Sequence, residues 1–198
     1  EEQVDFDFMI GVVGPSTSVY DQQIQSLEAG AEIYELSAEA VEHGLEYTNI
    51  LFQEKITKKD YQRMNELLAL AEAEGWSDLL DDTDIAATYE DVAKLWVRRH
   101  SYDPKQVWLN YDKPALMIYG EKDWIVPHEN NVEMIEKYFA GKEELLKTVV
   151  AYDAEHGMSV NSKWEDIGGG NSYRRFYRIS PHLQIEIVDF LIGNGFAK

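Results

Sequence analysis

The stretch Pro114-Ala-Leu-Met-Ile-Tyr-Gly120 decides the fold of this chain. Its apolar run, ended by a glycine, is typical of a parallel strand that is buried on both faces. Pro127 lies where the first turn of a helix tolerates proline, and an amphipathic segment follows it. Residues 145–152 predict another strand, and Ser180-Pro181 predicts the start of a last helix. Strand, helix, strand and helix in this order indicate a parallel α/β sheet.

The N-terminal part of the chain predicts one more strand. Residues 6–13 (FDFMIGVV) form a nearly continuous apolar run that ends at Gly14-Pro15, which is typical of an interior strand. The predicted organisation is therefore a first strand and turn over 1–17, a helical block over 18–108, and a strand-helix-strand-helix segment over 109–198.

The helical block is predicted from three amphipathic patterns. The pattern Ser18-x-x-Asp21 resembles a capping box and precedes apolar residues spaced three and four apart as far as Val41, which predicts one long helix. A second helical pattern runs from Tyr61 to Ala71. A third follows Thr88, in a Thr88-x-x-Asp91 cap pattern.

Composition narrows the classes of partner. The 198 residues carry a formal net charge of −19, which disfavours binding to nucleic acid or to anionic membrane surfaces. No apolar run reaches the roughly 18 residues that span a bilayer. The chain has no cysteine, so disulfides, thiolate metal sites and a cysteine nucleophile are excluded, although this does not assign a compartment. The histidines show no paired metal-ligand spacing, and we expect no metal and no cofactor.

The acidity is concentrated between Met64 and Ala93, where Lys and Arg are absent and Asp and Glu recur. One interpretation is a solvated helical surface, which is the usual role of a charge run. The other is an acidic lid that disfavours anionic substrates.

Two polar loops follow the second and third predicted strands. The first contains Gly120-Glu-Lys-Asp123-Trp-Ile-Val-Pro127, and the second contains Asp153-Ala-Glu-His156-Gly-Met158. Either Asp123 or His156 alone would be an ordinary turn, cap or surface residue. Together, at the carboxyl ends of neighbouring parallel strands, they are expected to meet, with Asp123 accepting the Nδ1 hydrogen of His156.

The G-x-x-D-x-x-V-P loop, followed by a strand and His-Gly, resembles the last third of the α/β-hydrolase superfamily. The resemblance implies a partial hydrolase fold, in which the three strands are the sixth to eighth of the family sheet and residues 18–108 are a helical cap over the active site. It implies Asp123 and His156 as the acid and histidine of a catalytic triad. Trp124, beside Asp123, is a candidate for lining the pocket of a small-molecule acyl substrate.

The nucleophile of such a triad is missing from the sequence. No G-x-S-x-G motif occurs, Ser16 and Ser159 read as turn and loop residues, and Ser18 reads as a helix cap. We expect the serine and most of the oxyanion hole on an upstream segment, and we expect the isolated chain to be inactive. We also expect the strand edge at 6–13 to be covered by that N-terminal hydrolase segment or by a second copy.

Two functions remain open at this point. The first is the C-terminal part of a serine-type hydrolase that acts on an ester or amide bond. The alternative is a non-catalytic α/β-hydrolase-like domain that serves binding or interaction, since a fold does not dictate a function.

Overall fold

The computed structural model describes residues 6–80, 84–99, 102–160 and 178–198, and the chain divides into two compact units. The sheet unit comprises Glu1–Ser16 and Pro104–Lys198, and the helical unit comprises Thr17–Asp103. The sheet unit contains strands β1 Met9–Val12, β2 Ala115–Gly120 and β3 Leu146–Ala151. The helices, in chain order, are α1 Val19–Ile33, α2 Ala38–Leu51, α3 Lys58–Glu74, α4 Trp96–Arg99, α5 Lys105–Leu109, α6 His128–Tyr138 and α7 Pro181–Gly193.

The three strands form one parallel sheet in the order β1-β2-β3. Met9 is opposite Ala115 in the first pair of strands, and Gly120 is opposite Ala151 in the second. Helices connect the strands, as parallel crossovers require. The prediction of an α/β chain with three parallel strands is confirmed.

Strand β2 is the centre of the sheet, and all six of its residues are buried. Met117 and Tyr119 face a cluster that includes Phe139 of the segment after α6. Leu116 and Ile118 face the opposite cluster, which includes Phe190 of α7. By contrast β1 is only half-buried, and among the described strands it pairs with β2 alone.

Helix α5 belongs to the sheet unit, although the sequence pattern assigned residues up to 108 to the helical block. Trp108 is buried in the same cluster as Phe139, with ring centroids 6.2 Å apart. Lys142 Nζ donates hydrogen bonds of 3.0 Å to the carbonyl oxygens of Trp108 and Leu109 at the end of α5. A basic side chain at a helix C-terminus satisfies carbonyls that have no partner within the helix.

The single long helix predicted from Ser18 to Val41 is wrong, because the structure divides this segment into α1 and α2. Glu35 lies in the left-handed backbone region with φ at +52°, which ends α1. The Ser37 side chain then accepts a hydrogen bond from the Ala40 N–H and caps α2. The apolar spacing continues across the break, so spacing alone did not show it.

The second helical pattern forms an α-helix in the structure, whereas the third forms mainly a 3-10 helix. The pattern from Tyr61 to Ala71 lies within α3, which begins with a complete capping box between Thr57 and Asp60. The pattern after Thr88 forms a 3-10 helix over Tyr89–Lys94, which the short helix α4 follows over Trp96–Arg99. Thr88 donates to the Asp91 carboxylate and makes no side-chain cap bond to a backbone N–H.

The acidic stretch covers the exposed side of α3 and the segment that follows. Glu66, Glu72, Asp78 and Glu90 are exposed, whereas Asp84 is buried. Asp81 and Asp82 lie outside the described residues.

A buried polar network links the turn after β1 to β2 and α6. Ser16, Tyr119 and Asn131 are all fully buried. The Ser16 N–H donates to Asn131 Oδ1 at 2.7 Å, and the Ser16 hydroxyl bonds the Tyr119 hydroxyl at 2.6 Å. Asn131 Nδ2 donates to the Pro127 carbonyl at 2.8 Å. Burial raises the pKa of Tyr119 to about 12, so this hydroxyl stays protonated at neutral pH.

We predict that Asn131→Leu lowers the free energy of unfolding by about 1–3 kcal/mol, because it leaves the buried Ser16 N–H without its acceptor. Urea unfolding followed by circular dichroism measures the change. Asn110→Leu is the matched control, since the exposed Asn110 makes the same kind of bond to the carbonyl four residues earlier. An equal loss of stability in both variants would contradict the role given to the network.

Candidate active site

The sheet brings two loops to one edge. Residues 121–127, the Asp123 loop, follow β2, and residues 154–160, the His156 hairpin, come after β3. Because β2 and β3 are parallel and adjacent, both loops leave the carboxyl edge of the sheet. The Glu121 N–H donates to the Ala151 carbonyl at the end of β3 at 3.1 Å, and the Lys122 N–H joins the two loops by donating to the Ala154 carbonyl at 2.8 Å.

The carboxylate of Asp123 is held by its own loop. Asp123 Oδ1 accepts hydrogen bonds from the backbone N–H groups of Ile125 at 3.0 Å and Val126 at 2.9 Å. This is the local turn that aspartate favours, and it fixes the rotamer of the side chain. The Asp123 side chain has no exposed surface, so its charge is stabilised by these donors and not by water.

The His156 hairpin is a tight turn that presents the histidine at its tip. Ala154 and Val160 form an antiparallel bridge at its base, and the Met158 N–H donates to the Glu155 carbonyl at 2.8 Å. Met158 lies in the left-handed region with φ at +57°, as expected for the last residue of a three-residue hairpin loop. Its side chain is buried, and this burial of about 1.5–3 kcal/mol offsets the backbone strain.

Gly120 allows the two loops to approach each other. A Cβ atom on Gly120 would lie 2.5 Å from the Ala154 carbonyl oxygen and 2.9 Å from the Glu155 carbonyl oxygen. Both distances are below van der Waals contact, and both atoms belong to the backbone. The glycine that ended the predicted strand is therefore also a requirement of the site.

His156 and Asp123 meet at this edge. His156 Nδ1 lies 3.0 Å from Asp123 Oδ2, and the carboxylate is the acceptor. In the neutral imidazole this places the hydrogen on Nδ1 and leaves Nε2 as the basic nitrogen. The His156 side chain is 37% exposed, in contrast to the fully buried carboxylate. The pair therefore has the geometry of a base with its orienting acid.

Electrostatics favour the protonated form of the histidine. The hydrogen bond to Asp123 raises the pKa of His156 above its ordinary value. Partial burial opposes this rise in the pKa, whereas the negative charges of Asp123 and Glu155 add to it. An imidazolium formed by proton transfer to Nε2 would be stabilised in the same way.

Trp124 and the three serines considered from the sequence differ in their exposure. Trp124 is half-buried in the Asp123 loop, next to Asp123, and its contact with a substrate stays a prediction. Ser16 and Ser159 are buried, so a substrate does not reach their hydroxyls. Ser18 caps α1, as predicted, by accepting the Asp21 N–H at 3.1 Å.

One residue of the site was missed by sequence reasoning. Glu155 is 9% exposed, and its carboxylate lies inside the hairpin that carries His156. The signal was its position directly before the histidine, but acidic residues are so frequent in this chain that the position did not stand out.

No protein-family model matches this chain, and no curated protein matches it either.

Neither a metal-ligand cluster nor a helix able to span a membrane occurs in the part of the chain that the structure describes. No group of three or more His, Asp or Glu side chains in that part of the chain is arranged to hold a metal ion. Among the described helices, none combines the length and the apolar character needed to cross a membrane.

We predict that Gly120→Ala destabilises the protein by about 1–3 kcal/mol, because the new methyl group forces the His156 hairpin away from β2. The hydrogen bond between Asp123 and His156 should weaken at the same time, and an upfield move of the Nδ1 proton resonance would report it. Gly14→Ala is the control, since Gly14 follows β1 and a Cβ there meets nothing within 4 Å. If Gly120→Ala is as stable as the control, the close approach of the loops is not a constraint.

We predict a pH dependence of stability that His156 causes. Its folded pKa lies above the unfolded value of about 6.5, so its stabilising contribution is complete below that pH and is lost as pH rises through the folded pKa. The difference in unfolding free energy between the wild type and His156→Gln should therefore shrink as pH rises. Urea unfolding of both proteins from pH 5.5 to pH 9 measures it, and a difference that grows with pH would contradict the assignment.

Proposed function

We propose that this chain supplies the acid and the histidine of a serine-type α/β-hydrolase that cleaves an ester or amide bond. Asp123 orients His156, and His156 acts as general base and then as general acid. The observation that carries the proposal is the 3.0 Å contact of His156 Nδ1 with a fully buried carboxylate, while the imidazole itself is partly exposed.

The proposed chemistry uses the two ring nitrogens differently. Nδ1–H donates to Asp123, which holds the ring in one tautomer and one orientation. Nε2 takes the proton of a serine hydroxyl as that oxygen attacks the acyl carbon, and the imidazolium is stabilised by Asp123. The same proton then passes to the leaving alcohol or amine, which completes acylation, and water repeats the sequence for deacylation. These steps need no metal and no cofactor.

The serine of this proposal comes from outside these 198 residues. The chain contains no G-x-S-x-G elbow, and Ser16 and Ser159 are too buried to attack a substrate. Among the described strands β1 pairs with β2 alone, and its other edge is the place where an N-terminal hydrolase segment would pair, because the edge of an apolar strand favours addition of another strand. A second copy of the chain is the other candidate for covering this edge.

The substrate in this proposal is a small molecule with an acyl bond. Trp124 is the candidate for contacting it, since this residue is half-buried and neighbours Asp123 in the same loop.

A non-catalytic binding or interaction domain is the second candidate function. The observation in its favour is the burial of Ser16 and Ser159, which leaves His156 without a nucleophile from either of them. In that case the pair of Asp123 and His156 would only stabilise the loops.

Activity of the chain joined to its upstream coding sequence tests the proposal. We expect hydrolysis of p-nitrophenyl esters by the joined protein and none by the 198 residues alone. Asp123→Asn should lower kcat by about 10⁴-fold, as loss of the orienting carboxylate does in a triad. His156→Ala should lower kcat by at least about 10³-fold.

His182→Ala is the matched control, because His182 is exposed at the start of α7 and has no place in the mechanism. Full activity in both the Asp123 and the His156 variants would exclude the catalytic pair. A joined protein that is folded but inactive towards acyl substrates would instead favour the binding domain.

A further inference from the structure

Glu155 is a second carboxylate at the candidate site, and the proposed mechanism does not use it. It precedes His156 in the chain and is 9% exposed, in a protein whose other glutamates are mostly on the surface. Burial of an ionised carboxylate is costly unless donors or cations compensate for it. Its position therefore needs a physical reason.

The carboxylate of Glu155 stabilises the hairpin through a hydrogen bond to its backbone. Glu155 Oε1 accepts a hydrogen bond from the Ser159 N–H at 3.2 Å, and the Glu155 N–H donates to the Ser159 carbonyl at 3.0 Å. A Cβ atom on Gly157 would lie only 2.7 Å from Glu155 Oε1. The carboxylate is thus packed against the backbone of the turn that carries His156, with glycine directly after the histidine.

We propose that Glu155 is a positioning residue for His156, which holds the hairpin tip in place and supplies a second negative charge that stabilises the imidazolium. This inference rests on the proposed function, because it assigns a role in proton transfer at the same histidine. Asp123 acts through a direct hydrogen bond from the neighbouring loop. Glu155 acts through its charge and through the backbone of its own hairpin.

Among the residues that the structure describes, two charged side chains of the Asp123 loop, Lys122 and Glu121, bind Asp153. Lys122 forms an ion pair with Asp153, and Glu121 Oε2 accepts the Asp153 N–H at 2.8 Å. Arg178 lies at the base of the hairpin, where its carbonyl accepts the Val160 N–H at 2.8 Å. Of the described residues, Glu155 is the charge that raises the pKa of His156 besides the hydrogen-bonded Asp123.

The substitution Glu155→Gln distinguishes the effect of the Glu155 charge from the effect of its hydrogen bond to the hairpin backbone. Glutamine keeps an oxygen that can accept the Ser159 N–H, so the hairpin should stay formed while the negative charge is removed. Protection of the Ser159 amide against hydrogen exchange checks this directly. Glu155→Ala removes both functions and should lose that protection.

The titration of His156, followed by NMR in the 198-residue chain, is the decisive measurement. His156→Gln identifies the resonance among the five histidines of the sequence. We expect the pKa of His156 to fall in Glu155→Gln, and to fall further in Asp123→Asn. Glu144→Gln is the matched control, because it removes the same charge from an exposed position before β3 and should leave the titration unchanged.

The outcomes distinguish this inference from the proposed function. An unchanged pKa in Glu155→Gln with an intact hairpin, beside a lower pKa in Asp123→Asn, would overturn the role of Glu155 and leave the catalytic pair standing. Equal falls in Glu155→Gln and Glu144→Gln would also overturn it, since they would show a general charge effect. An unchanged pKa in Asp123→Asn would instead overturn the pair on which the proposed function depends.

Discussion

The parallel pairing of β2 with β3 is the constraint on which the candidate site depends. It places Gly120 opposite Ala151, so the two loops begin at the same edge. The absence of a side chain on Gly120 then lets the backbone of the His156 hairpin lie against the end of β2. The contact between Asp123 and His156 follows from this backbone arrangement, because a main-chain hydrogen bond from Lys122 to Ala154 joins the loops that carry them.

Charge is distributed unevenly between the surface and the site. The chain has a formal net charge of −19, and its carboxylates are mostly hydrated. Asp123 and Glu155 differ, since both are buried and both accept hydrogen bonds from backbone N–H groups. Desolvated carboxylates interact strongly with a nearby imidazole, whereas surface carboxylates are screened by water and salt. In the proposed mechanism, these two buried acids stabilise the positive charge that forms on His156.

Local strain in the sheet unit is compensated by packing and hydrogen bonds. Met158 keeps a left-handed backbone because its side chain fills the core beside Phe190. Val13 also has a positive φ, of 49°, at the end of β1, and its N–H donates to the Ile118 carbonyl at 2.8 Å. Such conformations persist where the surrounding structure determines them, at the end of β1 for Val13 and in the hairpin loop for Met158.

The sequence alone determined the three strands, the positions of Asp123 and His156 at their ends, and the helix that begins at Pro181. These features depend on local apolar runs and on the Gly and Pro residues at the ends of strands and helices. Gly and Pro act through backbone sterics within a few residues. The tertiary structure decided the break before Ser37, the place of α5 beside the sheet, and the burial of Glu155. Each of these depends on contacts between segments distant in sequence or on backbone angles that side-chain periodicity does not encode. The distance between the acid and the histidine was likewise a tertiary result. Asp123 and His156 are 33 positions apart in the sequence, and strand order and register bring their side chains to hydrogen-bonding distance.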